Sequence, residues 1–313
     1  MPLEEPIPFR SYSAGEELST KEITALAWSQ IGLAKHKRCA LALLTQNLAL
    51  SIWTSGSRPR TPYSWSRRLV INQELDAYFS EIFPVERRKP GKDKSEKLKR
   101  LQRIRAFTWS PRALFSSVSN QKSSAHSQIW GEHFLGVAND NCEIIIMWIS
   151  SQSNLTSDDG SELASQALAH FPVDTDIQMP DLSWTFEDYM NHHKSATHVA
   201  WSPWVQWQDG SLVAIIAYTS HSKIGFRQIN ISMSSEGPRV QVGDQEASVM
   251  LAIPDSVNGP LRWLPEVSKA GRMQLVVSAG TSILQFDMAA IGNIDIKRSR
   301  YIRRGDWDPI SGM

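Results

Sequence analysis

The side chains of this 313-residue chain that could most readily do chemistry are histidines and cysteines. His192, His193 and His198 fall within one short segment, and His36 precedes Cys39 by three positions. Imidazole and thiolate groups hold zinc when about four of them recur at fixed spacing. No second cluster of cysteine or carboxylate ligands accompanies either group at such a spacing, so the sequence predicts no metal site.

The common signatures of nucleophilic and acyl-transfer catalysis are also missing from the sequence. A serine nucleophile of the hydrolase type sits in Gly-x-Ser-x-Gly, which does not occur here. Acyl-CoA enzymes usually hold the pyrophosphate in a glycine-rich turn before a helix. Gly91 stands alone among lysines, and Gly271 and Gly280 fall in predicted hairpins. We therefore expect no catalytic residue and no cofactor.

The composition is that of a globular protein without a membrane span. Hydrophobic residues make up 41% of the chain and charged residues 21%, and the formal net charge is only +1. That charge argues against a molecule that binds polyanions with its whole surface. No run of about eighteen apolar residues occurs, so the sequence predicts no contact with a membrane interior. Both cysteines, Cys39 and Cys142, lie in apolar runs, which suits free thiols in a reducing, intracellular compartment.

The histidines and cysteines lie in a chain whose strands follow a pattern centred on tryptophan, and this pattern recurs four times. A short strand ends in Trp, often followed by Ser or Ser-Pro. A polar loop, an apolar strand rich in small residues, a tight turn and a strand ending in an aromatic residue follow. The tryptophans that end the first strand of each copy are Trp28, Trp109, Trp201 and Trp263.

This repeat predicts an all-β fold, a WD-type β-propeller with about four recognisable blades. Inner strands of a blade are buried between neighbouring sheets and read as continuous apolar runs. Small residues let the blades approach, and the 12 tryptophans fill the widening gap between them. Asn47 and residues 139–141 are expected at the inner hairpins, because Asn and Asp tolerate positive φ.

Residues 1–313 are expected to form one propeller domain. Natural propellers close with roughly 4–8 blades, so the domain is either a complete small propeller or a piece of a larger one, truncated at both ends. The tail from Trp307 reads like the entrance to a further blade and favours the second interpretation.

Two insertions make the repeats longer than standard blades. Residues 72–103 are predicted to be helical and basic, with Asn72 as the cap of the first helix. Residues 150–192 are acidic and rich in Ser and Asp, and we expect part of them to be disordered. The first helix is predicted to have one apolar face, which carries Leu75, Phe79 and Ile82. This face either docks a partner or packs on the protein's own propeller.

Charge is strongly segregated along the chain. Residues 87–105 hold ten Lys and Arg against two acidic residues, whereas residues 123–193 hold eleven acidic residues and no Lys or Arg. The basic run either faces DNA phosphates or an acidic partner, or is a solvated loop that pairs with the acidic insertion. Aromatic residues for base stacking are missing from it, so any DNA contact would be positional. The candidate partner- or DNA-facing residues are Arg87, Arg88, Lys89, Lys92, Lys94, Lys97, Lys99, Arg100 and Arg103.

Two further features go beyond a generic WD blade. The loop from Gly32 to Cys39 is basic and long, and Leu44 to Asn47 follows as Leu-Thr-x-Asn. Together with the run from Ser64 to Asn72 and the segment from Asp306 to Gly312, this combination resembles the N-terminal WD-like propeller of the transcription factor IIIC delta subunit, particularly its fungal members. The resemblance is close over residues 26–83 and loose over most of the remainder.

The resemblance implies a nuclear, non-catalytic scaffold subunit of the general factor that recognises internal promoters of tRNA-type genes for RNA polymerase III. Its expected partners are the other transcription factor IIIC subunits and components of the initiation factor. A histone acetyltransferase activity attributed to an animal relative has no visible support in this sequence. The family's C-terminal zinc-binding region has no counterpart, since two cysteines without paired spacing cannot form it. A propeller adaptor of another multiprotein complex, an acetyltransferase and a truncated, non-functional reading frame are the alternatives.

Overall fold

In the described residues, four antiparallel sheets account for the four tryptophan repeats; the first, second and fourth along the chain are meanders of four consecutive strands, and the third contains six strands. The computed structural model describes residues 22–56, 60, 64–84, 92–115, 130–152, 162–173, 196–207, 209–220, 223–243, 249–252, 257, 259–268, 270–280, 282–289 and 296–303. Each sheet corresponds to one propeller blade, and the blades are numbered here in chain order.

The strands of the four blades have the following bounds. Blade 1 contains β1 (Ile23–Trp28), β2 (Leu41–Thr45), β3 (Leu50–Ser55) and β4 (Trp65–Val70). Blade 2 contains β5 (Ile104–Trp109), β6 (His133–Asn139), β7 (Glu143–Gln152) and β8 (Glu162–Pro172). Blade 3 contains β9 (Ala196–Trp201), β10 (Val205–Gln206), β11 (Leu212–Ser220), β12 (Lys223–Ser234), β13 (Gly237–Val242) and β14 (Val249–Ala252). Blade 4 contains β15 (Arg262–Trp263), β16 (Arg272–Ala279), β17 (Ser282–Ala289) and β18 (Ile296–Arg303).

The strand registers show that the blades are copies of one another. In every blade, the tryptophan at the end of the first strand is the register partner of an aliphatic residue on the next long strand. That aliphatic residue is in turn the register partner of one residue on the following strand. In blades 1, 2 and 4 a register shift on the outer strand falls beside that last residue. The matched rows are Trp28–Leu41–Trp53, Trp109–Leu135–Met147, Trp201–Ile216–Arg227 and Trp263–Leu275–Phe286.

Burial separates the middle blades from the end blades. Every residue of β6 and of β11 is buried, as expected for strands covered on both faces. In β2 and β16 buried and half-buried residues alternate, so only one face of each of these strands is covered. Three cores fill the gaps between blades 1 and 2, 2 and 3, and 3 and 4. The four sheets thus form an open arc of blades rather than a closed ring.

Tryptophans join neighbouring blades by hydrogen bonds as well as by packing. The indole Nε1 of Trp109 in blade 2 donates to the carbonyl of Ala27 in blade 1, at 3.2 Å. Trp263 in blade 4 donates in the same way to Ala200 in blade 3, also at 3.2 Å. Both of these indole N–H groups, which would be costly to bury unpaired, find a carbonyl of the preceding blade, whereas the buried Nε1 of Trp201 in blade 3 has no hydrogen-bond partner among the described residues.

Two helices, α1 (Ile71–Ile82) and α2 (Lys92–Gln102), form the predicted basic insertion. Asn72 does not cap α1, because Val70 occupies the N-cap position. The amide of Asn72 is instead fully buried and joins three segments. Its Oδ1 accepts from Leu50 N at 2.8 Å, and its Nδ2 donates to the carbonyls of Leu48 and Gln102 at 2.9 and 2.7 Å.

The inner hairpins turn at the predicted places but by a different mechanism. Positive φ falls on Leu48 (64°) and Cys142 (61°) rather than on asparagine. The asparagine side chains bond to the turn instead, since Asn139 Oδ1 accepts from the backbone N–H of Asn141 and of Glu143. Asn therefore favours these turns through its side-chain hydrogen bonds.

The acidic region 150–192 is not wholly an insertion. Its first residues continue β7 to Gln152, and β8 forms the outer strand of blade 2. Residues 153–161 and 174–195 lie outside the described residues. Small residues such as Ala164 and Ala169 alternate with larger side chains in β8, a pattern that a search for Trp-centred repeats does not detect.

Candidate interaction surfaces

The apolar face of α1 packs on the propeller. Leu75 and Phe79 have no exposed surface and belong to the core between blades 1 and 2, so they do not form an accessible docking face. Ile82, at the end of the helix, is 39% exposed. Of the three residues predicted for docking, only Ile82 could therefore reach a partner.

The basic residues of the insertion fall into three groups. Arg87, Arg88 and Lys89 lie outside the described residues, and Lys92 and Lys94 lie in the first turn of α2. The other four residues are described with their side chains and are considered next.

The described basic side chains differ in their surroundings. The ammonium of Lys97 lies 4.5 Å from the ring centroid of Phe83, a cation–π distance. Arg103 is largely buried and lies 3.8 Å from the buried carboxylate of Asp140, which Arg105 also binds at 2.7 Å. Arg103 is thus part of a buried ion pair. Lys99 and Arg100 are half-buried on α2.

The histidine and cysteine groups are dispersed. His36 sits in a single 3-10 turn, and burial raises the pKa of the nearby Cys39 thiol, which makes that thiol a weaker nucleophile at neutral pH. His198, on β9, lies between Thr197 of the same strand and Thr219 of β11, and burial lowers its pKa. His192 and His193 are outside the described residues. In the described part of the chain, no three His, Cys, Asp or Glu side chains come together as a metal site would require.

A polar cluster that the sequence analysis missed connects α1 to blade 2. The Tyr78 hydroxyl lies 2.9 Å from Nδ1 of His170 on β8, and burial lowers the pKa of this imidazole. Burial raises the pKa of the neighbouring Glu143, although hydrogen bonds from Asn139 and Asn141 act in the opposite direction. Tyr78 and His170 are 92 positions apart, so no local pattern could pair them.

The serines that follow the tryptophans have structural roles. Ser29 Oγ accepts from Ala40 N at 2.8 Å, and Ser202 Oγ accepts from Ile215 N at 2.8 Å. Each hydroxyl also donates to the carbonyl of the next residue. These serines join the first strand of a blade to the second, and both their donor and acceptor capacities are used.

The two ends of the arc expose different surfaces. The outer face of blade 1 carries Trp28, Trp53 and Trp65 beside polar side chains such as Arg67, the register partner of Trp53. Trp28 is 53% exposed and lies 5.8 Å from Trp65, centroid to centroid. Leu26 on the same face is 61% exposed. The outer face of blade 4 is polar: Arg272 binds Asp287, and Gln285 Nε2 donates to Gln274 Oε1 at 3.0 Å.

No curated protein matches the chain significantly. Among solved structures, the β-propeller domain of Nup133 from Vanderwaltozyma polyspora matches with a TM-score of 0.42 and 10% sequence identity, over 93% of this chain. The chain spans 65% of the length of that domain.

In the described residues, no helix is long and apolar enough to cross a membrane. The family model of the transcription factor IIIC subunit delta β-propeller domain matches residues 1–313, which is the entire sequence. The chain therefore belongs to the transcription factor IIIC delta-subunit β-propeller family.

Proposed function

We propose that this propeller is a non-catalytic scaffold in the nuclear transcription factor IIIC complex, where it supports RNA polymerase III transcription of tRNA-type genes. The observation that carries the proposal is the match of the entire chain to the delta-subunit propeller. Its partners are the sister subunits and, through them, components of the initiation factor. Any DNA contact by the basic helix α2 is positional, made to phosphates without reading bases.

The contacts of the conspicuous residues support a scaffold. Trp109, Trp201 and Trp263 pack between neighbouring blades, and serines such as Ser202 join strands within a blade. Buried Asn72 joins the helical insertion to blade 1. Residues engaged in these contacts hold the fold in place. Ile82 and the outer face of blade 1 carry exposed side chains, and Lys99 and Arg100 on α2 are half-buried.

Purification of the epitope-tagged protein from its own cells tests the proposal. Mass spectrometry should find the other transcription factor IIIC subunits in near-stoichiometric amounts, and depletion of the protein should lower tRNA precursor synthesis. Recovery of a different multiprotein complex instead would refute it in favour of another adaptor role. Transfer of labelled acetyl groups from acetyl-CoA to histone tails, above a heat-inactivated control, would refute the non-catalytic part.

A further inference from the structure

Basic side chains from two blades come together at Trp130, at the edge of the arc where the first strand of each blade connects to the second. The ammonium of Lys37, in the β1–β2 connection, lies 6.0 Å from the centroid of the Trp130 ring. Gly32 of the same connection lies against the base of this side chain, since an added Cβ would be 2.7 Å from the Cβ of Trp130. Arg112, in the β5–β6 connection, packs its stem on Gly131, where an added Cβ would lie 2.9 Å from its Cγ. Two cations from separate loops therefore lie beside one half-buried indole.

The tip of the blade 1 loop has a defined backbone conformation. Gly32 N donates to the carbonyl of Lys37 at 3.1 Å, and Ala34 N donates to the carbonyl of Arg38 at 2.9 Å. His36 and Lys37 have φ angles of 57° and 61°, in the left-handed region that residues other than glycine rarely adopt and that recurs at functional sites. Both side chains are exposed. The loop therefore presents them to solvent without the entropic cost of ordering a mobile segment on binding.

The electrostatic surroundings of this indole are positive. Among the described residues, neither Lys37 nor Arg112 forms an ion pair. The one acidic residue described in the two connections is Glu132, and its carboxylate accepts a hydrogen bond from Trp148 Nε1 at 2.8 Å. The basic residues described there are Lys35, Lys37, Arg38 and Arg112. This excess of cations attracts an anionic ligand.

The indole distinguishes among the anionic ligands that such a surface attracts. An acidic peptide or a DNA duplex would use the cations alone, because a duplex keeps the faces of its bases stacked inside. Single-stranded nucleic acid uses both components, since its phosphates lie against Lys or Arg and its unpaired bases stack on aromatic rings. At 6.0 Å from the ring centroid, Lys37 is at the outer limit of a cation–π contact, so its ammonium remains available to a phosphate. The combination of Lys37, Trp130 and Arg112 therefore favours a single strand.

We propose that this edge of blades 1 and 2 binds single-stranded nucleic acid, with an unpaired base stacked on Trp130 and the adjoining phosphates held by Lys37 and Arg112. Stacking tolerates every base, so the contact reads no sequence. The binding activity is additional to the proposed scaffold role. Its three residues are far apart in the chain, at positions 37, 112 and 130, which is why no basic and aromatic cluster is visible along the sequence.

Fluorescence anisotropy of the purified full-length chain with a labelled oligothymidylate of about twelve nucleotides tests the proposal. The chain should bind this single strand at least about tenfold more tightly than a blunt duplex of the same length. Equal or tighter binding of the duplex would overturn the proposal. Equally strong competition by polyglutamate would also overturn it and would assign the surface to acidic proteins. Co-purification of the sister subunits does not depend on this result, so the proposed function would still stand.

Substitutions assign the binding to the three side chains. Trp130→Ala should weaken binding of the oligothymidylate at least about fivefold, and Trp130→Phe less than about threefold, because phenylalanine keeps a stacking surface. Lys37→Ala with Arg112→Ala should reduce the slope of log affinity against log salt by about 1.4, the value for two phosphates of a single strand. Circular dichroism and the thermal midpoint of each variant check folding.

Matched controls come from exposed residues of blades 3 and 4. Trp207→Ala removes an indole that is 41% exposed, and Arg239→Ala with Arg262→Ala removes two exposed cations. These variants should leave both the affinity and the salt slope unchanged. Full binding by Trp130→Ala, an unchanged slope in the Lys37 and Arg112 double variant, or equal losses in the controls would each contradict the proposed site.

Discussion

Replacement of Asn72 by Ala should destabilise the protein more than its small change in volume suggests. The amide makes three buried hydrogen bonds, and one of its acceptors, the Leu48 carbonyl, keeps a second donor in the N–H of Ile104 at 3.0 Å. The groups deprived of this side chain are therefore the N–H of Leu50 and the carbonyl of Gln102. At about 1–2 kcal/mol for each unsatisfied group, we expect a loss of roughly 2–4 kcal/mol.

That loss is a large part of the about 5–15 kcal/mol by which folded proteins are usually stable. Urea unfolding followed by tryptophan fluorescence should show it as a lower midpoint, with Gln73→Ala on the exposed side of the same helix as the control. Equal midpoints for Asn72→Ala and Gln73→Ala would show that the helical insertion is not held to blade 1 through this amide. The proposed role of Asn72 in joining the helical insertion to blade 1 would then be wrong.

Three further outcomes are expected. Burial lowers the pKa of His170 in the folded protein. The contribution of His170 to stability is therefore present above the unfolded-state pKa of about 6.5 and is lost as the pH falls through the folded-state pKa. On acidification, the thermal midpoint should fall more steeply in the wild type than in His170→Gln. Gly225→Ala should cost about 1–3 kcal/mol in urea unfolding, since the added Cβ would lie 2.2 Å from the ring of Tyr218. Lys99→Ala with Arg100→Ala should reduce the slope of log affinity for a tRNA-gene fragment against log salt by about 1.8, if both side chains contact phosphate.

Each of these outcomes has a control or a contradicting result. Gly56→Ala places its Cβ 3.4 Å from the nearest atom and should change stability by less than about 0.5 kcal/mol. An equally steep acid loss in His170→Gln would assign the pH dependence to other groups, such as His198, whose pKa burial also lowers. An unchanged salt slope would remove α2 from any DNA contact and leave it as a protein-facing or solvated helix.

Much of the fold could be predicted from the sequence because a propeller blade repeats its chemistry. Trp, Ser and small aliphatic residues recur with a fixed relation to the strands, and α1 and α2 lie in the region predicted to be helical. The missed strand, β8, lies in a region that Ser and Asp residues make look like a loop. Pairing with β7 over ten register positions supplies its stability, and pairing of that kind is not visible in a single strand.

The surfaces were harder to predict, because exposure depends on what a residue packs against. The apolar spacing in α1 fits either a docking face or a buried face. The structure shows that Leu75 and Phe79 are buried in the core between blades 1 and 2. In the same way, Arg100 and Arg103 look equivalent in the basic run of the sequence. The structure distinguishes them, because Arg103 lies beside the buried Asp140. Side chains of one type in one segment therefore separate into structural and surface groups through contacts with distant strands.

Trp28 shows the same limit in the opposite direction. By sequence it is one of four equivalent strand-end tryptophans, and by register it occupies the same position as Trp109. The exposed fraction of Trp28 is about six times that of Trp109. In a repeat protein, the burial of a residue depends on the neighbouring repeat that packs against it, and the local sequence around the residue does not show whether that neighbour is present.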